Sequence, residues 1–162
     1  MENDIPTNPK TSLTEIAGAI ELQTGEFSAY YNRETGAIEN INTELLAKIE
    51  EDEDIEDSLD HYNADEQDLE LAREIANNEK WLPLPSQYDI NEYSIMERFC
   101  RSRSDPDLRD TLLSAIHGKG AFRRFKDTAE RTGVLEQWYK YKDDEIREIA
   151  RQWCEENGVE CE

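Results

Sequence analysis

The sequence predicts a mainly α-helical (α+β) fold: a single helical domain carrying one small N-terminal antiparallel β-hairpin. Three observations predict it. Apolar residues recur at helical spacing through most of the 162 residues. Strand-like alternation is clear in a single stretch, "GEFSAYYNRETGAIENI". Helix punctuation, meaning caps, a first-turn proline and stop glycines, marks the second half of the chain.

Composition limits the rest. Hydrophobic residues make up 36% and charged residues 35%, so the core is economical and the surface heavily solvated. The formal net charge of −21 works against nonspecific binding to nucleic acid or an anionic membrane. No apolar run approaches the roughly 18 residues of a membrane span. The opening "MENDIPTNPK" lacks the basic-then-apolar order of a signal peptide. Cys100, Cys154 and Cys161 have no metal-ligand spacing and leave an odd thiol if two pair. The reading is a reduced, cytoplasmic protein; Cys154 and Cys161 could meet near a frayed C-terminus, but a free thiol pair is the favoured state. Charge is uneven: residues 1–98 hold 25 acidic and 6 basic side chains, residues 99–162 hold 14 and 12.

The elements follow in order. Residues 1–11 read as a flexible tail and 12–158 as the domain, with a short tail at 159–162. Within the domain, 12–50 read as helix–hairpin–helix, 51–65 as an acidic loop and 66–158 as the helical part. Ser12 and Glu15 have capping-box spacing ahead of Leu13, Ile16, Ala17 and Ile20 on one helical face. Phe27, Ala29 and Tyr31 alternate, "NRETG" turns at Gly36, and Ile38 and Ile41 return. "NTELLAKIEE" is a short helix running into "EEDEDIEDSLDHYNADE", which self-repulsion should keep extended or mobile.

Leu69, Ala72, Ile75 and Ala76 define the next helix, and Pro83 and Pro85 force "WLPLPSQYD" to be extended. Asp89 and Glu92 are placed to cap a helix with Tyr93, Met96 and Cys100 inward. Trp81, Tyr88 and Tyr93 read as one aromatic cluster. Asp105–Pro106 is a cap followed by a first-turn proline, with Leu108, Leu112 and Ala115 facing in. A helix from about Gly120 to Arg131 stops at Gly133. The last carries Leu135, Trp138, Ile146, Ile149 and Trp153 and stops at Gly158.

One block stands out in so acidic a chain. "HGKGAFRRFKD" places Lys119, Arg123, Arg124 and Lys126 within eight positions, after two glycines. Projected on a helix turning about 100° per residue, Phe122, Phe125 and Ala129 gather on a docking side. Lys119, Arg123 and Lys126 form a stripe beside it. Gly118 and Gly120 free the backbone to present amides to an anion, and arginine grips phosphate or carboxylate through two parallel bonds. The competing reading is charge balance against Asp127, Glu130 and the acidic half. Neither a phosphate-loop nor a dinucleotide fingerprint is present. Tyr139 and Lys142, in "WYKYK", are a candidate extension of the surface.

The strings "WLPLPSQYDINEYSIMERFC", "GKGAFRRFKD" and "WYKYKDDEIREIARQWCEENG" resemble an uncharacterised bacterial protein family known by a placeholder (UPF) name. The resemblance covers most of residues 13–158 and implies no activity. His61 lies among Asp57, Asp60 and Asp65, but the run has no calcium-loop glycine or spacing and reads as solvated loop. His117 has no serine or cysteine neighbour and reads as a helix C-terminal residue. No catalytic, metal or cofactor residue is assigned.

The leading expectation is a non-enzymatic cytoplasmic interaction or regulatory protein. Its basic helix would contact an anionic partner: phosphate, acidic protein or, less favoured, nucleic acid. The second reading is an acidic surface that binds a basic protein as a nucleic-acid mimic. The third is an enzyme using carboxylates such as Asp89 and Glu92. No membrane partner is expected.

Overall fold

The structure, a computed structural model, describes residues 11–51 and 56–162. It is mainly helical with a small antiparallel sheet, as the periodicity predicts, and resolves into two compact units. The first comprises residues 1–87 and 149–162, the second residues 88–148. The expected tail over residues 1–10 lies outside the described residues.

In the first unit, α1 (Leu13–Leu22) starts at Ser12, whose hydroxyl accepts from the Glu15 amide at 3.4 Å, and buries Leu13, Ile16, Ala17 and Ile20. Strands β1 (Phe27–Asn32) and β2 (Ile38–Asn42) pair antiparallel from Tyr31↔Ile38 to Phe27↔Asn42. The turn is built by Asn32, whose side-chain oxygen accepts from the Glu34 and Thr35 amides. It closes at Gly36, where φ is +79° and a side chain would be strained.

The sequence predicts only a hairpin. The structure adds β3 (Trp81–Pro83), antiparallel on the other side of β1, giving the order β2-β1-β3. The extended segment expected from the prolines is therefore a strand, and the sheet's edge tolerates the proline that lacks an amide.

Helix α2 (Thr43–Glu50) is capped by Asn42, and α3 (Glu66–Asn77) by Asp65 and Asp68 in a reciprocal pair at 2.9 and 3.0 Å. Ile41, Leu45, Leu46, Leu69, Ala72, Ile75 and Trp81 form the core there. From residue 56 onward the acidic run is more ordered than its charge suggests. Residues Glu56–Tyr62 wind into a 3-10 helix, and Leu59, Tyr62 and Ala64 pack against that core. Three apolar side chains in the run are enough to dock it. Residues 52–55 lie outside the description.

Helix α8 (Leu135–Asn157) ends in this unit. Its Trp153 donates to the Pro83 carbonyl at 3.0 Å and meets the Tyr31 ring edge-on at 5.7 Å. Gly158, at φ +67°, turns the chain back. The expectation of free thiols at Cys154 and Cys161 is overturned, because the two form a disulfide. The turn brings positions seven apart together. Thr11, placed in the expected tail, is buried and forms a parallel bridge with Cys161.

The second unit is helical. Helix α4 (Gln87–Ile90) leads into α5 (Glu92–Arg101), whose cap is Asn91 rather than Asp89: its side chain accepts from the Ser94 amide at 3.2 Å. Ile95, Met96, Phe99 and Cys100 are the buried residues, whereas Tyr93 lies at the rim, 38% exposed. Helix α6 (Pro106–Ala115) starts as predicted at Asp105–Pro106 and buries Leu112 completely. Helix α7 (Ala121–Arg131) is followed by Gly133 at φ +79°.

Phe99 is the hub of this core. Its ring meets Phe125, Trp138 and Tyr141 edge-on within 5.9 Å, and the Arg103 guanidinium stacks on it at 4.0 Å. The expected Trp81–Tyr88–Tyr93 cluster does not hold: Trp81 belongs to the sheet-side core and Tyr88 is 92% exposed.

Candidate anion-binding surface

The loop between α6 and α7 runs over residues 116–120 and contains two left-handed glycines, Gly118 (φ +76°) and Gly120 (φ +74°). A helix ends with carbonyls that have no partner inside it, and a loop this tight adds more of them on the same side. Arg124, from the first turn of α7, reaches back to these carbonyls. Its Nε donates to the Ala115 carbonyl at 3.1 Å, Nη1 to that of Lys119, and Nη2 to that of His117. A Cβ on Gly120 would stand 3.3 Å from the Arg124 guanidinium, so the glycine also makes room for the clamp. Of the four predicted cations, Arg124 is thus the one that holds the loop.

The other three are different. Lys119, in the loop, and Arg123 and Lys126, on α7, are exposed and form no ion pair among the described residues. Arg123 and Lys126 are three apart and share a face, and Lys119 precedes Arg123 by four. The α7 N-terminus has no side-chain cap and no acidic residue in its first turn, which leaves its amide end positive.

Nearby cations are mostly committed. Arg98 pairs with Glu145 at 2.9 Å, Lys142 with Glu92 at 2.8 Å, Arg147 with Asp143 at 3.1 Å and Arg101 with Glu97 at 3.3 Å. Among the described residues Lys119, Arg123 and Lys126 stay open, as do the exposed Arg131 and Lys140, and the first three are the ones that neighbour one another. Of the candidate extension, Lys142 is taken by Glu92, and Tyr139 is 49% exposed.

The helical projection misjudged one ring. The inner face of α7 is Ala121, Phe125, Thr128 and Ala129, while Phe122 is 41% exposed. Phe122 meets Tyr93 edge-on at 6.4 Å, and the Tyr93 hydroxyl donates to the Ile116 carbonyl at 3.0 Å. A single ring, Phe125, anchors the helix. The second lies on the surface, one helical turn before Lys126. Phe122 at the cationic edge is the residue that sequence reasoning placed wrongly, and an amphipathic plot with two phenylalanines three apart does not separate the cases.

A shallow groove of about 390 Å³ lies between α6 and α7, lined by Thr111, Ser114, Asp127 and Arg131 among others. Its carboxylate makes it less suited to an anion than the stripe. Burial pushes the Cys100 thiol up to about 11, so it is not a ready nucleophile. Among the described residues no group of His, Cys, Asp and Glu has a metal-holding arrangement. None of their helices is long and apolar enough to cross a membrane.

Residues 42–161 match the model of the uncharacterised protein family UPF0158, and the chain belongs to that family. The match starts at the end of β2, later than the residue-13 start that the string resemblance implied, and reaches Cys161. A UPF0158 protein of Pseudomonas aeruginosa is 27% identical over 115 residues, covering 63% of this chain and 75% of the relative. No solved structure matches the chain.

Proposed function

We propose that the protein is a non-enzymatic cytoplasmic interaction or regulatory protein that captures an anionic partner on the α7 surface. Lys119, Arg123 and Lys126 supply the charge, and the Phe122–Tyr93 edge supplies apolar contact. One observation carries the reading: in a chain of net charge −21, three neighbouring cations remain exposed without a carboxylate among the described residues. An arginine or lysine left open amid 39 carboxylates is available to a partner's phosphate or carboxylate. The "GKGAFRRFKD" block lies inside the matched residues, and we take it as the part of the family pattern that carries this surface.

The test is affinity purification of the native protein beside Arg123→Glu/Lys126→Glu, recording copurifying proteins and nucleic acid. The reading predicts an acidic protein or nucleic acid that is lost with the double variant while helical content is unchanged. Equal recovery by both proteins rejects it.

A second reading rests on the first unit, whose 26 acidic side chains face 6 basic ones. Such a surface would attract a basic protein as a nucleic-acid mimic does. It predicts salt-sensitive capture that survives the α7 variant and weakens when Glu66, Glu70 and Glu74 are neutralised.

A further inference from the structure

Independently of the α7 surface, we propose that Cys154–Cys161 is a reversible thiol–disulfide site that clasps residues 159–162 onto the start of α1. Four sets of contacts converge there. The disulfide joins the last turns of α8, where Cys154 is 3% exposed, to Cys161, which is half-buried. Around the Gly158 turn, the Val159 amide donates to the Cys154 carbonyl at 2.8 Å. The returning segment then lies along Thr11. The Thr11 amide donates to the Glu160 carbonyl at 3.2 Å, the Glu162 amide to the Thr11 carbonyl at 3.0 Å, and the Leu13 amide to the Glu162 carbonyl at 2.9 Å. Finally, the buried Thr11 hydroxyl and the Tyr31 hydroxyl hydrogen-bond at 2.7 Å, and Tyr31 packs against Trp153, the neighbour of Cys154.

Leu13 is the first residue of α1, so its amide is one of the donors that a helix cannot satisfy internally, and Glu162 satisfies it. Beyond the half-buried Val159 and Cys161, the segment presents two exposed glutamates and buries no large apolar group. Short backbone pairings that bury little apolar surface open readily, so the covalent bond adds substantially to what keeps this one closed.

Reduction by a dithiol is balanced in two steps. A reductant thiolate attacks the more accessible Cys161 sulfur. The S–S bond breaks, and Cys154 leaves as a thiolate that takes up a proton. The reductant's second thiolate then attacks the mixed disulfide and releases Cys161 as a thiol. Two electrons and two protons pass to the protein, and the reductant ends as its own disulfide. The opened state releases the Thr11 and Leu13 backbone groups from Glu160 and Glu162.

The experiment uses the full-length protein equilibrated in oxidised glutathione and then treated with dithiothreitol. Thiol counting in denaturant is expected to give one thiol (Cys100) before treatment and three after. Amide exchange at Thr11, Leu13 and Glu162 is expected to rise by about tenfold or more on reduction, while that of Ile95 and Phe99 stays constant. Cys154→Ser/Cys161→Ser should show the open pattern and ignore dithiothreitol. If that variant fails to fold, the wild-type pair of measurements decides. Three thiols after the glutathione step, or protection at Thr11 and Leu13 unchanged by reduction, overturns the proposal.

Discussion

The two units solve opposite electrostatic problems. Residues 1–87 with 149–162 carry 26 carboxylates against 6 cations, while residues 88–148 carry 13 against 12. In the first, cations are scarce and one is shared: Lys80 sits 2.9 Å from Glu74 and 3.9 Å from Glu34, while Lys48 pairs with Glu51 at 3.6 Å. In the second, cations are abundant enough to be spent on several jobs. Some pair with carboxylates, Arg103 covers Phe99 and hydrogen-bonds Gln137, Arg124 clamps a loop, and Lys119, Arg123 and Lys126 are among those left over. The lesson is that a cluster of like charges in sequence is not one functional object. Arg123 and Arg124 are adjacent, yet one faces solvent and the other is bound to carbonyls.

The largest expected effect sharpens the structural side of the contrast. Phe99→Ala, at a fully buried ring touching three others, should destabilise the protein by about 3–5 kcal/mol in denaturant titration. Removing the disulfide with Cys161→Ser should cost roughly 2–3 kcal/mol, because the loop that it closes is short. Arg124→Ala leaves several loop carbonyls without their donor and should cost roughly 1–3 kcal/mol; lysine, a point charge without the planar fork, should rescue it poorly.

Acid titration probes the first unit. The Lys80 ammonium beside Glu74 holds its carboxyl below the ordinary carboxylate range, so the unfolded chain takes up the proton first. This contribution is present at neutral pH and is lost as pH falls through the folded pKa, and Lys80→Met should flatten the acid limb. Lys80, raised by the same partner, contributes stability below its unfolded pKa that is lost as pH rises through the folded one. Smallest of all, Arg123→Glu/Lys126→Glu should change stability by no more than about 0.5 kcal/mol, as an exposed substitution does.

Local features were legible in the sequence because they need only neighbours. The Ser12 cap, the Asp105–Pro106 start and the glycine stops involve residues within four positions, and α1 buries the four residues that its spacing names. What was missed depends on distant chain. β3 is three residues with a proline and becomes a strand because β1 has an open side. Asn91 takes the cap from Asp89 by adopting a left-handed φ of +50°. Phe122 was assigned inward because it lies three before Phe125; the helix instead seats Ala121 and Thr128. The Arg124 clamp and the Cys154–Cys161 bond both need a chain reversal at left-handed glycines, a geometry that composition and periodicity do not encode.

The division of labour between adjacent arginines is tested most directly by crossing two variants with two readouts: thermal midpoint and recovery of the copurifying anionic partner. Arg124→Ala should lower the midpoint by roughly 2–10 °C while keeping recovery, and Arg123→Glu/Lys126→Glu should keep the midpoint and lose recovery. A double variant that melts as early as Arg124→Ala, or that still retains the partner, contradicts the account.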